Sequence, residues 1–252
     1  MNTTLSIRRS LVGALIVGAL VITVAACGDD DDDGAAASSA FCGDLESFNA
    51  ALMTTDISPE STAEEIESTS ALLTPLWNDV RANAPATLSA EIAPLTDTVE
   101  ALAAGDPEPF SADETFEQYN VFLGSSVDAC PFEKTSVEAG DYWFKGVPET
   151  LTAGTVALQF TNTSDDEDHE FVLFKKNDPA QSAEEILALD ESEMEGAITF
   201  AGVAWASPGE KGTGLVSVEP GSYLALCFVP IGGADDAAPH FTAGQVAELT
   251  VS

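Results

Sequence analysis

Pro220-Gly221-Ser222-Tyr223-Leu224-Ala225-Leu226-Cys227 is a turn followed by an apolar run that ends on a cysteine. A Pro-Gly pair breaks the chain, and the aromatic and aliphatic residues after it read as a buried strand over 222–229. Beyond it, His240-Phe241-Thr242-Ala243-Gly244-Gln245 leads into a second apolar run, 246–251. Upstream, His169 opens a third, 170–176. His169 and His240 are the only two histidines in 252 residues. A soft thiolate (Cys227), two imidazoles (His169, His240) and a weak oxygen donor (Gln245) form a donor set suited to one copper ion.

Further strands are expected over 142–145, 155–161, 198–206 and 214–218, with Ser182-Ala183-Glu184-Glu185 capping one short helix between strands. Seven or so short strands in little over a hundred residues predict a Greek-key β-sandwich over 135–252.

This region resembles the cupredoxins, the blue-copper fold, in three local patterns. Phe160-Thr161-Asn162 leads through an acidic turn to His169-Glu170-Phe171-Val172. Gly221-Ser222-Tyr223 with Cys227 matches the Gly-x-Tyr-x-x-x-Cys strand. His240 followed by Gln245 matches the second histidine and the axial residue. The resemblance implies one type-1-like copper held by His169, Cys227 and His240 with Gln245 axial, and a single-electron or copper-handling role. Twelve residues separate Cys227 from His240, where the family usually has a few. The extra length costs little closure entropy but is expected to weaken the placement of His240. Alternatives stand beside each residue: Cys227 as an inert core cysteine, His169 as a surface residue in an acidic screen, and His240 as a loop residue packed beside Phe241. Together they describe a metal-free surface interaction module with a degenerate cupredoxin fold.

Residues 39–130 lack strand alternation. Leu45, Phe48 and Leu52 recur at helical spacing. Ser61-Thr62-Ala63-Glu64 reads as a capping box ahead of Ile66, Leu73, Trp77 and Val80, and Pro75 is expected to kink that helix. A third helix carries Ile92, Leu95, Val99 and Leu102. Ser111-Ala112-Asp113-Glu114 is expected to cap a fourth, through Phe116, Tyr119, Leu123 and Val127. The fold class is therefore an all-α bundle followed by an all-β Greek-key sandwich.

The N-terminus reads as an address. Arg8 and Arg9 precede an uncharged apolar run over 11–24, too short for an ordinary membrane span. The arginine pair leaves Sec and twin-arginine export both open. Val24-Ala25-Ala26-Cys27 resembles the bacterial lipobox, which implies a signal peptide over 1–26 and a diacylglycerol thioether on Cys27. The alternative is cleavage by an ordinary peptidase. Residues 27–38, with five consecutive aspartates, read as an acidic tether. The expected location is the extracytoplasmic face of the cell membrane, reached through the lipid anchor.

In an oxidising compartment cysteines pair. Cys27 is assigned to lipid, while Cys42 and Cys130 bracket the helical segment as natural disulfide partners, which leaves Cys227 free. The formal charge of −35 excludes nucleic acid as a partner, because displacing counterions needs clustered Lys and Arg. The acidity suits either steering of a basic redox partner or solubility in a salty medium. No enzyme is expected. Two histidines cannot supply the extra centres of copper oxidases, and Cys227 has no other base to make it a nucleophile.

Overall fold

The computed structural model describes residues 38–234 and 236–252. The signal peptide, Cys27 and nearly all of the tether lie outside the described residues.

Four helices come first: α1 (Ser39–Leu52), α2 (Ala63–Asn83), α3 (Ser89–Ala103) and α4 (Asp113–Ala129). Their apolar stripes converge on Phe41, Leu45, Phe48, Leu73, Trp77, Leu102 and Phe122. The expected helices are present, but two of their caps differ. The capping box of α2 is Thr62 with Glu65, one residue later than expected, and Ser61 instead accepts from the Ser58 N–H. Ser111 does not cap α4. It closes a short 3-10 turn (Pro109–Ser111) and donates to the Pro107 carbonyl, so α4 has Ala112 at its N-cap and no side-chain cap. The same Thr62–Glu65 contacts hold the exposed Glu65 carboxyl below its usual range. Thr62→Ala should cost about 1 kcal/mol of bundle stability, measured by urea denaturation.

The chain then builds β1 (Glu133–Gly140), β2 (Trp143–Lys145), β3 (Thr150–Leu151), β4 (Gly154–Asn162), β5 (His169–Lys176), α5 (Ala183–Leu187), α6 (Glu191–Ala197), β6 (Ile198–Ala206), β7 (Lys211–Val218), β8 (Gly221–Leu226) and β9 (Val246–Val251). One sheet has the order β2-β1-β4-β7, the other β3-β9-β8-β5-β6. Both are mixed, since β1 runs parallel to β4 and β3 parallel to β9. The sequence reading missed β1, because only Val137 and the residues at its far end are buried and the rest of the strand is polar. It also missed β3 and α6, which are short.

The two sheets enclose Val137, Leu158, Phe160, Phe171, Leu173, Val216, Tyr223, Ala225 and Leu249. Strand β5 is buried on both faces. Phe171 and Leu173 point between the sheets, while Val172 and Phe174 pack outward under Ile186 of α5. The helical bundle covers the outer face of β4 and β7, where Ala157 and Leu215 belong to its core. Asn49 Nδ2 donates to the Leu215 carbonyl at 2.7 Å and accepts at Oδ1 from the Tyr119 hydroxyl. The Cys42–Cys130 disulfide, 88 residues apart in sequence, staples α1 to the point where the chain leaves the bundle for β1. Among the described residues, no helix is long and apolar enough to cross a membrane.

Candidate metal centre

Strand alternation places the site. Phe171 and Leu173 face between the sheets on β5, Tyr223 and Ala225 on β8, and Leu249 and Val251 on β9. Stepping by two along each row leads to His169, Cys227 and Gln245. The strands are neighbours in the order β9-β8-β5. One step past the Leu226–Val246 pair stand Cys227 and Gln245, so three rows of inward-facing side chains end at the same tip of the sandwich.

His240 arrives from the loop. The twelve-residue excursion is pinched at its base: the Phe241 N–H donates to the Cys227 carbonyl, His240 N–H to Val229, and Ile231 N–H to Ala238, each at 2.9–3.0 Å. Pro230 and Pro239 face each other as a β-bridge. Most of the extra length is therefore a side hairpin, and His240 re-enters beside the cysteine. The expected loss of placement does not occur. A 3-10 turn (His240–Ala243) then carries the chain to Gln245, and Gly244 at φ +110° makes the reversal that a side chain would strain.

The three strong donors converge. His240 Nδ1 lies 3.1 Å from His169 Nδ1, and Cys227 Sγ lies 3.5 Å from His240 Nδ1 and 3.9 Å from His169 Nδ1. A point equidistant from the three atoms lies about 2 Å from each, matching metal–imidazole bonds and about 0.3 Å short of a metal–thiolate bond. His169, Cys227, His240 and Gln245 are all fully buried. His169 is thus not a surface residue in an acidic screen, and His240, though carried by the loop, is fully buried.

Gln245 donates through Nε2 to the Gly140 and Trp143 carbonyls at 3.4 and 3.3 Å. Its Oε1 is buried without a hydrogen-bond partner. A buried amide oxygen without a partner carries a desolvation cost. Burial pushes the Cys227 thiol pKa up, with the Glu170 carboxylate adding to it. Burial, then the neighbouring His240, holds His169 below the usual imidazole range. Cys227 must give up its proton to act as a ligand.

Around the donors lie residues that the sequence reading left unassigned. Both outward Nε2 atoms face carboxylates: Glu167 Oε1 at 3.5 Å from His240 and Asp141 Oδ1 at 3.9 Å from His169. Glu170 is fully buried and accepts from the Phe228 N–H at 3.1 Å, fixing the backbone just after Cys227. A glutamate inside the apolar run after His169 was the visible signal for it. Asn162 bridges the acidic turn, donating to the Glu167 and Ala206 carbonyls at 2.8 and 3.0 Å.

No protein-family model matches this sequence, and no curated protein matches it. Solved structures similar to it include an auracyanin of the photosynthetic bacterium Roseiflexus castenholzii, 20% identical, covering 47% of this chain and 96% of that one, with a TM-score of 0.33. Auracyanin A of Chloroflexus aurantiacus, described as a "blue" copper protein, is 22% identical over 47% of this chain and 99% of that one, TM-score 0.31. A plastocyanin of Dryopteris crassirhizoma is 24% identical over 46% and 99%, TM-score 0.25. These neighbours are cupredoxins, matched over the C-terminal half.

Proposed function

We propose that this protein is a membrane-anchored, extracytoplasmic lipoprotein whose C-terminal domain, a Greek-key sandwich of the cupredoxin type, binds one copper ion and passes single electrons or handles copper. The observation that carries the reading is the buried convergence of Cys227 Sγ with the Nδ1 atoms of His169 and His240. Bound copper would supply one-electron chemistry by cycling between its two common oxidation states. His169, Cys227 and His240 would hold it, with Gln245 Oε1 available as a weaker fourth donor. Nitrogen and sulfur donors of this kind bind copper more tightly than zinc.

The chain's own contribution is rigidity and dryness. Two of the three strong donors sit at strand ends of a packed core, and the third is pinned by the loop hydrogen bonds. The donor positions therefore need little rearrangement when charge changes. Exclusion of water strengthens each electrostatic interaction within the site.

Titration of the purified protein with Cu(II) tests the reading. One equivalent should bind and produce intense visible absorption from a thiolate–copper bond; a colourless protein would refute it. Gln245→Met should retain the copper and raise its reduction potential, since a thioether is a weaker donor to Cu(II) than an amide oxygen. Cyclic voltammetry of the two proteins checks the sign.

The anchoring rests on the lipobox-like Val24-Ala25-Ala26-Cys27 and the apolar run before it. Mass spectrometry of the mature N-terminus should find Cys27 acylated. The acidic surface would steer a basic redox partner toward the domain.

A further inference from the structure

The carboxylate of Glu167 stands where three separate stretches of chain meet over the donor atoms. Its Oε1 accepts a hydrogen bond from the Gly232 N–H, at the tip of the side hairpin. The same oxygen lies 3.5 Å from His240 Nε2. From the β1–β2 turn, the Tyr142 ring packs edge-on against the His240 imidazole, with centroids 5.1 Å apart. Tyr142 is the one non-glycine residue with positive φ among the described residues, at 66°. Backbone strain of that kind persists only where the surroundings hold it. The Tyr142 hydroxyl is raised above its ordinary pKa by burial and next by the Glu167 charge.

Glu167 is better shielded than the first two residues of its acidic run. Asp165 and Asp166 are exposed, whereas the Glu167 side chain is only 14% exposed. Its backbone is fixed at both ends: the N–H donates to Ser164 Oγ at 3.3 Å, and the carbonyl accepts from Asn162 Nδ2 at 2.8 Å. Gly232 meets it in a left-handed conformation, φ +69°, with Gly233 following at +66°. That backbone aims the Gly232 amide inward at an anion. Nothing lies within 4 Å of where a Gly232 side chain would begin, so the conformation, not crowding, is what glycine supplies here.

We propose that Glu167 is the positioning residue of this site, tying down the tip of the Cys227–His240 excursion and orienting the His240 ring. The inference rests on reading the three converging donors as a metal centre. The Glu167 oxygen stands 3.5 Å from Nε2, outside hydrogen-bond geometry, and its charge favours electrostatically the tautomer with the proton there, which leaves the Nδ1 lone pair turned toward Cys227 and His169. The backbone bonds at the base of the excursion place the His240 backbone, and Glu167 adds a hold at the tip and beside the ring. Glu167 replaces loop shortness with a charge-assisted hydrogen bond, stronger than a neutral one.

The test uses the full-length metal-free protein first. Amide hydrogen exchange is measured in wild type, Glu167→Ala and Glu167→Gln. In Glu167→Ala the Gly232 amide should exchange about tenfold faster or more, while amides of the bundle core, such as Leu73, stay unchanged. Glu167→Gln keeps an acceptor oxygen and should fall between the two. Nitrogen-15 spectra of the His240 ring should show the Nε2–H tautomer in wild type and a mixture in Glu167→Ala. In the copper-loaded proteins, a chelator should remove the metal about tenfold faster from Glu167→Ala than from wild type. Unchanged Gly232 exchange in Glu167→Ala, or an Nδ1–H tautomer in the wild type, overturns the proposal. Should Glu167→Ala fail to fold, the same comparison on Glu167→Gln decides it, and exchange equal to wild type overturns it. The metal-free measurements do not depend on copper. A wild type that binds no copper would overturn the copper reading while leaving the Glu167 tie to be judged on exchange alone.

Discussion

Cys227→Ser is expected to abolish the visible colour of the copper-loaded protein and to weaken copper binding by more than about 100-fold, beyond what loss of an outer-sphere partner typically costs. The thiolate is the only soft donor among the four side chains, and charge transfer from sulfur to Cu(II) is the source of the absorption. Serine keeps the shape of the side chain, and its hydroxyl would lie against two imidazole nitrogens now 3.5 and 3.9 Å from the sulfur. The fold should therefore survive, and far-ultraviolet circular dichroism should match the wild type. Visible spectroscopy during copper titration, with a competing chelator to set the affinity, measures both effects. A variant that retains the colour would remove Cys227 from the site.

The Cys42→Ala/Cys130→Ala double variant should lose about 3–4 kcal/mol of stability, because the bridge closes an 88-residue separation and removes loop entropy from the unfolded chain. Both cysteines are buried at the edge of the bundle core, so alanine leaves little strain. The proposed copper site lies at the tip of the sandwich, and none of its donors belongs to the bundle core. Its absorption should persist under native conditions even as the urea midpoint falls. A loss below about 1 kcal/mol would show that bundle packing, not the cross-link, fixes the unfolded-state balance.

The helices were legible because their apolar residues recur mostly at intervals of three, four or seven, the spacing of one helix face. That pattern survives any error at the ends, and the ends are where the reading slipped. Thr62, not Ser61, caps α2, and a polar residue near a helix start does not say which backbone amide it reaches. Strands with a clear apolar run, such as β6, or with apolar–polar alternation, such as β9, were equally plain. Strand β1 was hidden by its polar residues, since it is held by pairing with β2 and β4 rather than by a continuous hydrophobic face.

At the candidate metal centre, the donors themselves were visible, because histidine is scarce here and Cys227 had no partner. The fate of the loop was not. Whether twelve residues separate two ligands or bulge out beside them depends on backbone bonds such as His240 N–H to the Val229 carbonyl, which have no side-chain signature. Glu167 was invisible for a related reason. In sequence it is one acid among several after Asn162, and only its burial and its contact with Gly232 distinguish it. The free oxygen of Gln245 likewise depends on its amide nitrogen being taken by the Gly140 and Trp143 carbonyls.

X-ray absorption at the copper edge, on the purified full-length protein loaded with one equivalent of Cu(II), tests the account most directly. It should find one sulfur and two imidazole nitrogens bound at distances of about 2.0–2.3 Å. A coordination shell of oxygen and nitrogen alone, with no sulfur, would contradict it and leave Cys227, His169 and His240 as a hydrogen-bonded trio within a metal-free sandwich.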